Sequence, residues 1–385
     1  MKVAALVTRQ QVVRFRVFAH GLSERRTAQS PEKCAGFIGL FDSPEGSALL
    51  ALGARIRDLD PEIYERALVA KKTLVRVWGA RGAPYVVPTR DGHIFTTGAL
   101  PDDDESLASL LGGDASKLLE TGVPVREAFD KAVEAVEAVL DRPMRKRDLS
   151  KALHGRLPRS LEPWCEGCQV AHIPDGLLRI VGLTGGMVFG PRVEGSPALV
   201  RTRDWLGRSF DSEYKAETRD VLVRRFLRHY GPVTHSHFAR WTNLSIADAR
   251  RSWERLQDEM VPVELEGKRN WIMEEDLDSL REAPQAGAVR FLPPNDPFLA
   301  QRDRDNLIPQ REVRKKVWRP VGNPGVLLVD GEPVATWRAK SKPRRLEITL
   351  ESWSPISAGR RAELEQEAAT VAHLRAHDEA QLVEK

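Results

Sequence analysis

The chain has 385 residues, 41% of them hydrophobic and 30% charged, with a formal net charge of +4. That length suits two or three domains with real cores, and no stretch approaches the roughly 18 consecutive apolar residues that a membrane span needs. Three cysteines do not make a disulfide framework, and the short apolar run in MKVAALVTRQQ is no signal-peptide core, so the expected location is cytoplasmic.

The charge is unevenly placed. Basic clusters occur at 142–147, 201–208, 219–228, 311–319 and 338–345, whereas acid gathers at 102–105. Arginine dominates these clusters, and its planar fork suits phosphate. Any one cluster is equally an ordinary solvated face.

In chain order, helical periodicity repeatedly gives way to paired strands. In residues 1–100, helical stretches at 10–20 and 34–40 and a helix start at Asp60-Pro61 precede strands 74–78 and 83–88 around a turn-prone 79–82. An acidic loop at 101–105 follows. In residues 122–210, an amphipathic helix at 125–141 carries Phe129, Val133, Val136 and Leu140 on one face, with helices at 147–154 and 175–183 and a hairpin of 187–190 with 198–200. Residues 213–285 give helices 217–230, 234–241 and 245–260, then strands 261–265 and 270–273 around Gly267. The helix at 245–260 would be the recognition helix, carrying Arg250, Arg251 and Arg255, the last two one turn apart. From 288 to 385 short strands dominate, with an Asp330-Gly331 hairpin turn and a closing helix at 358–377.

The expected fold is therefore α+β, with three tandem winged-helix units followed by a small β-rich C-terminal domain. Double-stranded DNA is the leading partner, although such modules also serve as protein–protein scaffolds. No membrane partner and no cofactor are expected, and a monomer is the favoured state. Arg76 and Arg81, with Arg250, Arg251 and Arg255, are the candidate phosphate contacts.

Several segments resemble one family in the same order along nearly the whole chain. They are Leu74-Val75-Arg76-Val77-Trp78-Gly79-Ala80-Arg81-Gly82; Tyr230-Gly231-Pro232-Val233-Thr234 with Phe238-Ala239-Arg240-Trp241; Leu292-Pro293-Pro294-Asn295-Asp296-Pro297-Phe298; and Val317-Trp318-Arg319-Pro320 with Thr336-Trp337-Arg338. The chain thus resembles the AlkZ-like winged-helix DNA glycosylases. That resemblance implies base excision from alkylated or crosslinked DNA, with a Gln-x-Gln or Gln-x-Asp motif in the first unit holding the hydrolytic water.

This sequence departs from that pattern. At Gly39-Leu40-Phe41-Asp42-Ser43-Pro44, one register puts Phe41 and Ser43 at the motif positions and the other puts Leu40 and Asp42 there. Neither supplies a glutamine, which leaves Asp42 as the catalytic candidate, a carboxylate able to orient water. An acid ahead of Ser-Pro is also a common turn or cap residue. A non-catalytic, regulatory DNA-binding protein is the alternative.

Other constellations are weaker. Cys165-x-x-Cys168-x-x-x-His172 has zinc-like spacing but lacks a fourth ligand, so no metal is assigned. His235 and His237 point to different helix faces, which suits a cap region better than chelation. Gly182–Gly186 lacks the Lys-Ser/Thr of a phosphate loop. Trp205 and Trp241 are the tryptophans singled out for base stacking.

Overall fold

The computed structural model of the chain describes residues 5–27, 30–120, 122–167, 169–210 and 216–384. It has two compact units. One comprises Met1–Glu65, Arg224–His237 and Gln257–Lys385; the other comprises Arg66–Val223 and Phe238–Leu256. At the level of class the fold is α+β, as expected.

In the first unit, helix Arg9–Ala19 opens with a capping box between Thr8 and Gln11. Its Val12 and Phe15 share a core with Val263, Leu265 and Ile272 of the hairpin Met260–Leu265 and Lys268–Met273. The hairpin turns at Glu266-Gly267, both at positive φ (51° and 74°), the backbone that a two-residue loop between twisted strands needs. Strand Ala5–Val7, which periodicity did not reveal, pairs with Met260–Leu265 in parallel.

The C-terminal residues of this unit form a five-stranded sheet in the spatial order Val289–Leu292, Gly325–Val329, Glu332–Ser341, Arg345–Ser352 and Glu379–Glu384. The last pairing is parallel and so requires a crossover, supplied by helix Arg361–Leu374. Leu364, Ala368 and Val371 of that helix pack with Leu346, Ile348 and Leu350.

Two buried arginines fasten the first unit. Arg16 donates to the carbonyls of Gly231 and Pro232 and to both carboxylate oxygens of Asp303. Arg55 donates to the carbonyls of His20 and Ala51 and to both oxygens of Asp296, at 2.9 and 2.8 Å. Asp296 also accepts from the Phe298 N–H, so the Asn-Asp-Pro-Phe segment is a buried ion-pair anchor.

In the second unit, five strands run Ala83–Pro88, Leu74–Gly79, Met187–Val193, Ser196–Arg201 and Met144–Arg145, every pairing antiparallel. Helix Val125–Val139 buries Val125, Ala128, Phe129, Ala132, Ala135 and Val136, a face that small residues widen beyond the predicted stripe. Helices Lys146–Leu153 and Asp175–Gly182 stand where periodicity placed them. The segment read as an acidic loop differs. Asp103 caps helix Asp104–Leu111, accepting from the Ser106 N–H at 2.8 Å. The helix read over 245–260 is also shorter: Ile246–Arg255 is helical, and strand geometry takes over at Met260, ahead of Pro262.

Candidate functional site

Asp42 follows the two-residue strand Leu40–Phe41 and precedes helix Ser47–Gly53. Only 4% exposed, it accepts the N–H of Gly46 (2.9 Å) and of Ala48 (3.1 Å) on Oδ1. This is a helix cap built from a distance, with Gly46 at φ 90° turning the chain into the helix. The neighbouring backbone is held by an amide chain: Asn295 Nδ2 donates to the Ser43 carbonyl (2.9 Å), and Asn323 Nδ2 donates to Asn295 Oδ1 (2.8 Å).

The Ser43–Ser47 turn forms one wall of a cavity of about 900 Å³. Arg319, Arg338 and Arg375 also line it, against the single acid Glu45. Arg338 is pinned across it by donation to the Gly322 carbonyl (2.7 Å). The cavity is thus cationic, and Asp42 lies behind its wall.

In the second unit, Arg76 sits mid-strand opposite Val86 and Phe189. Two residues on, Trp78 meets Phe189 edge-on (4.7 Å between centroids), and the Arg179 guanidinium lies 5.6 Å from the Trp78 ring centroid. Arg81 and Gly82 both adopt left-handed φ (64° and 61°), which folds the strand tightly onto Ala83–Pro88. A Cβ on Gly82 would meet Arg179 Cβ at 3.1 Å, and one on Gly182 would overlap Trp78 at 2.1 Å. Gly82 is therefore demanded by the turn, whereas Arg81 holds its left-handed conformation without that requirement. Arg81 is exposed and has no ion pair among the described residues.

The candidates on helix Ile246–Arg255 are differently placed. Arg255 grips Asp220 with Nε and Nη2 (3.0 and 2.7 Å), and Arg251 reaches Asp103 and Asp248, each at 3.2 Å. Arg250 alone of the three is exposed without an ion pair among the described residues. Beneath them, buried Arg219 donates to the Gly98 and Leu100 carbonyls and to Asp102 and Asp248. The acidic segment 102–105 thus clasps the helix. Hydrogen bonds from Ser106 and Ser245 and the contact with Arg251 hold the Asp103 carboxyl near 2, outweighing partial desolvation, the largest single influence, which acts upward.

Sequence reasoning missed a buried histidine pair. His20 and His229 meet edge to face at 5.5 Å, with Tyr230 and Phe298 against His20 and Phe37 stacked on His229. Burial holds both neutral, His229 down to about 4. His237, in contrast, accepts the Thr234 N–H in a cap region, as its spacing suggested. Trp241 is buried and Trp205 lies under the Lys72 ammonium, 4.1 Å from the ring, whereas Trp164 is the open indole at 54% exposure. Cys165 interacts with His172, but Cys168 lies outside the described residues, among which no group of three His, Cys, Asp or Glu could hold a metal. No helix of the described residues is long and apolar enough to cross a membrane.

Comparisons with known proteins agree with this organisation. An Interstrand DNA cross-link repair glycosylase of Streptomyces sahachiroi is 23% identical over 346 residues, covering 85% of this chain and 87% of its own. The solved structure of Streptomyces sahachiroi DNA glycosylase AlkZ superposes with a TM-score of 0.79 at 20% identity, over 99% of this chain and 100% of that one. The family described as DNA glycosylase AlkZ-like matches residues 3–374. The chain belongs to the AlkZ-like DNA glycosylase family, and so to the proteins of DNA repair.

Proposed function

We propose that this protein hydrolyses the N-glycosidic bond of an alkylated or crosslinked base in duplex DNA. The observation that carries the reading is the family match across nearly the whole chain, joined to the one carboxylate retained in the motif segment, Asp42. The chemistry asks little of the protein. An N7-alkylated purine is already cationic, so the bond to C1′ breaks with its electron pair neutralising the leaving base. Water then adds to C1′ and gives up a proton. A carboxylate that reaches the sugar stabilises its developing positive charge and orients that water, which for Asp42 requires the Ser43–Ser47 turn in front of it to shift when DNA binds.

Three winged-helix units are part of the proposal, with divisions at 1–100, 122–210 and 213–285 and a β-rich remainder at 288–385. Element order supports it. Helices Val125–Val139, Lys146–Leu153 and Asp175–Gly182 precede the hairpin Met187–Val193/Ser196–Arg201, and helices Ala216–Tyr230, His235–Thr242 and Ile246–Arg255 precede Met260–Leu265/Lys268–Met273. Arg76, Arg81, Arg250, Arg251 and Arg255 serve as phosphate contacts, with Arg81 and Arg250 leading because no carboxylate among the described residues holds them.

The test is release of a base from N7-alkylated and from crosslinked duplex by the wild type, Asp42→Asn and Asp42→Ala. Asn keeps a carbonyl oxygen for the cap while removing the charge. Release by the wild type and its loss in Asp42→Asn supports the assignment. Absence of release by the wild type on both substrates removes the enzymatic reading. A specific observation favours the second reading, a non-catalytic DNA-binding protein: residues 40, 41 and 43 are Leu, Phe and Ser, with no carboxamide among them.

A further inference from the structure

A second cavity, of about 850 Å³, lies within the second unit and takes no part in the site above. One wall is helix Lys146–Leu153. Leu149 and Leu153 are fully buried beneath it, and Lys146, Arg147, Ser150, Lys151 and His154 line the cavity. These five positions follow helical spacing, so the helix is amphipathic with its cationic face outward. The opposite wall is the small hairpin Trp164–Cys165/Val170–Ala171. That hairpin interrupts the connection between helices Lys146–Leu153 and Asp175–Gly182.

Two features call for an occupant. Trp164 is 54% exposed and Val170 51% exposed, and both line the cavity, so an indole and an isopropyl group of the same small hairpin stand open to water. Clustered exposure of this kind marks a binding surface more often than an isolated apolar side chain does. The rim is also cationic: Lys146, Arg147 and Lys151 face one acid, Asp175, which pairs with Lys146. Arg147 is 68% exposed and only loosely approached by Asp148 (3.6 Å) and Glu194 (3.9 Å), so its guanidinium can turn to an anion. A flat aromatic ring joined to a phosphate matches this pairing of an open indole with cations. A purely apolar ligand would leave the cations unanswered, and an acidic peptide would leave the indole unanswered.

We propose that the cavity between helix Lys146–Leu153 and the Trp164 hairpin binds an unpaired nucleotide of single-stranded DNA, its base stacked on Trp164 and its phosphates on Arg147, Lys151 and Lys146. Base release at Asp42 is not required for this site to act, and the two can fail separately.

The experiment is fluorescence anisotropy of a labelled oligothymidylate of about twelve nucleotides with the full chain, alongside quenching of a 2-aminopurine in the same strand. Trp164→Ala weakens single-strand binding about tenfold or more and abolishes the quenching, while Trp164→Phe keeps most of both. Arg147→Glu with Lys151→Glu lowers affinity and flattens the salt dependence by about 0.7 in log–log slope for each phosphate no longer neutralised. Thermal melts of each variant establish folding, and base release and binding of undamaged duplex stay within twofold of wild type. Unchanged single-strand binding in folded Trp164→Ala overturns the assignment, as does absence of single-strand binding by the wild type. Competition by polyglutamate as effective as that of unlabelled oligothymidylate overturns it in favour of an acidic peptide.

Discussion

The arginines around Asp296 and Asp303 in the first unit and those on helix Ile246–Arg255 in the second differ in how far the guanidinium itself is removed from water. Arg16 and Arg55 are 1% and 2% exposed, and each closes a bidentate pair with its aspartate while donating to backbone carbonyls. Arg251 and Arg255 are 48% and 39% exposed, although Asp248 under Arg251 and Asp220 under Arg255 are themselves buried and only Asp103 is half open. A dry pair cannot trade its partner, because either charge left alone in the interior is costly to strand. A guanidinium left in water is held loosely enough for a phosphate to compete. An arginine in the sequence is thus no guide to DNA contact until its carboxylate has been found.

The comparison breaks most sharply at Asp296. Asp296→Ala leaves the Arg55 guanidinium buried and uncompensated, with an expected loss of about 3–5 kcal/mol in folding free energy by denaturant titration. A loss below about 1 kcal/mol would mean that the pair is not dry. Acid supplies a second break. His20 and His229 are neutral in the fold because burial opposes their charge, helped by Arg55 and by Arg16 and Arg225 respectively, whereas the unfolded chain protonates them near 6.5. Below that pH the unfolded state binds more protons, so stability is intact above about 6.5 and falls as pH drops toward 4. The fall is on the order of 3 kcal/mol from His229 alone, His20 adds to it, and His229→Phe with His20→Phe should shrink it. A flat melting temperature between pH 6.5 and 4.5 would contradict this.

A third test sharpens the role of Asp42. Asp42→Ala removes the acceptor of two N–H groups at helix Ser47–Gly53, with an expected cost of about 0.5–2 kcal/mol, while Asp42→Asn stays within about 0.5 kcal/mol of wild type. Equal stability of both variants would argue against the cap. The smallest effects on stability are expected at Arg250 and Arg251. Arg251→Gln costs about 0–1 kcal/mol because Arg219 still holds Asp248, whereas Arg255→Gln strands the buried Asp220 and costs about 1–3 kcal/mol; each should flatten the salt dependence of duplex binding by about 0.9 in slope, and Arg250→Gln should do so with no stability change. An unchanged slope in all three would move the DNA contact elsewhere.

Much of the fold could be read from the chain because its helices and hairpins carry their own periodicity and turn residues. Helix Lys146–Leu153, the Glu266-Gly267 and Asp330-Gly331 hairpins and the Leu74–Gly79/Ala83–Pro88 pair fall within a few residues of expectation. What escaped depends on distant partners. Strands Ala5–Val7 and Glu379–Glu384 exist through parallel pairing, which leaves no local turn. Helix Ser47–Gly53, with sequence SALLALG, is apolar on nearly all sides and so shows no stripe. Acid at 102–105 reads as a linker until Arg219 and Arg251 are placed against it. At the candidate site, Asp42 could be read as a cap from its Ser-Pro context, but which arginines were already held by acids could not. Trp164 sits in a hairpin with two-residue strands and no apolar pattern, so nothing in the sequence marked it as open.

The amide relay from Asn323 through Asn295 to the carbonyl of Ser43 carries a consequence for biosynthesis. The turn beside Asp42 emerges early from the ribosome, yet the side chains that brace it are made some 250 and 280 residues later. Nascent chains that stop short of Asn295 carry the motif segment without its direct brace, and those that stop short of Asn323 lack the amide that fixes Asn295. The native geometry of this turn is therefore completed only when sequence from the far end of the chain has folded against it.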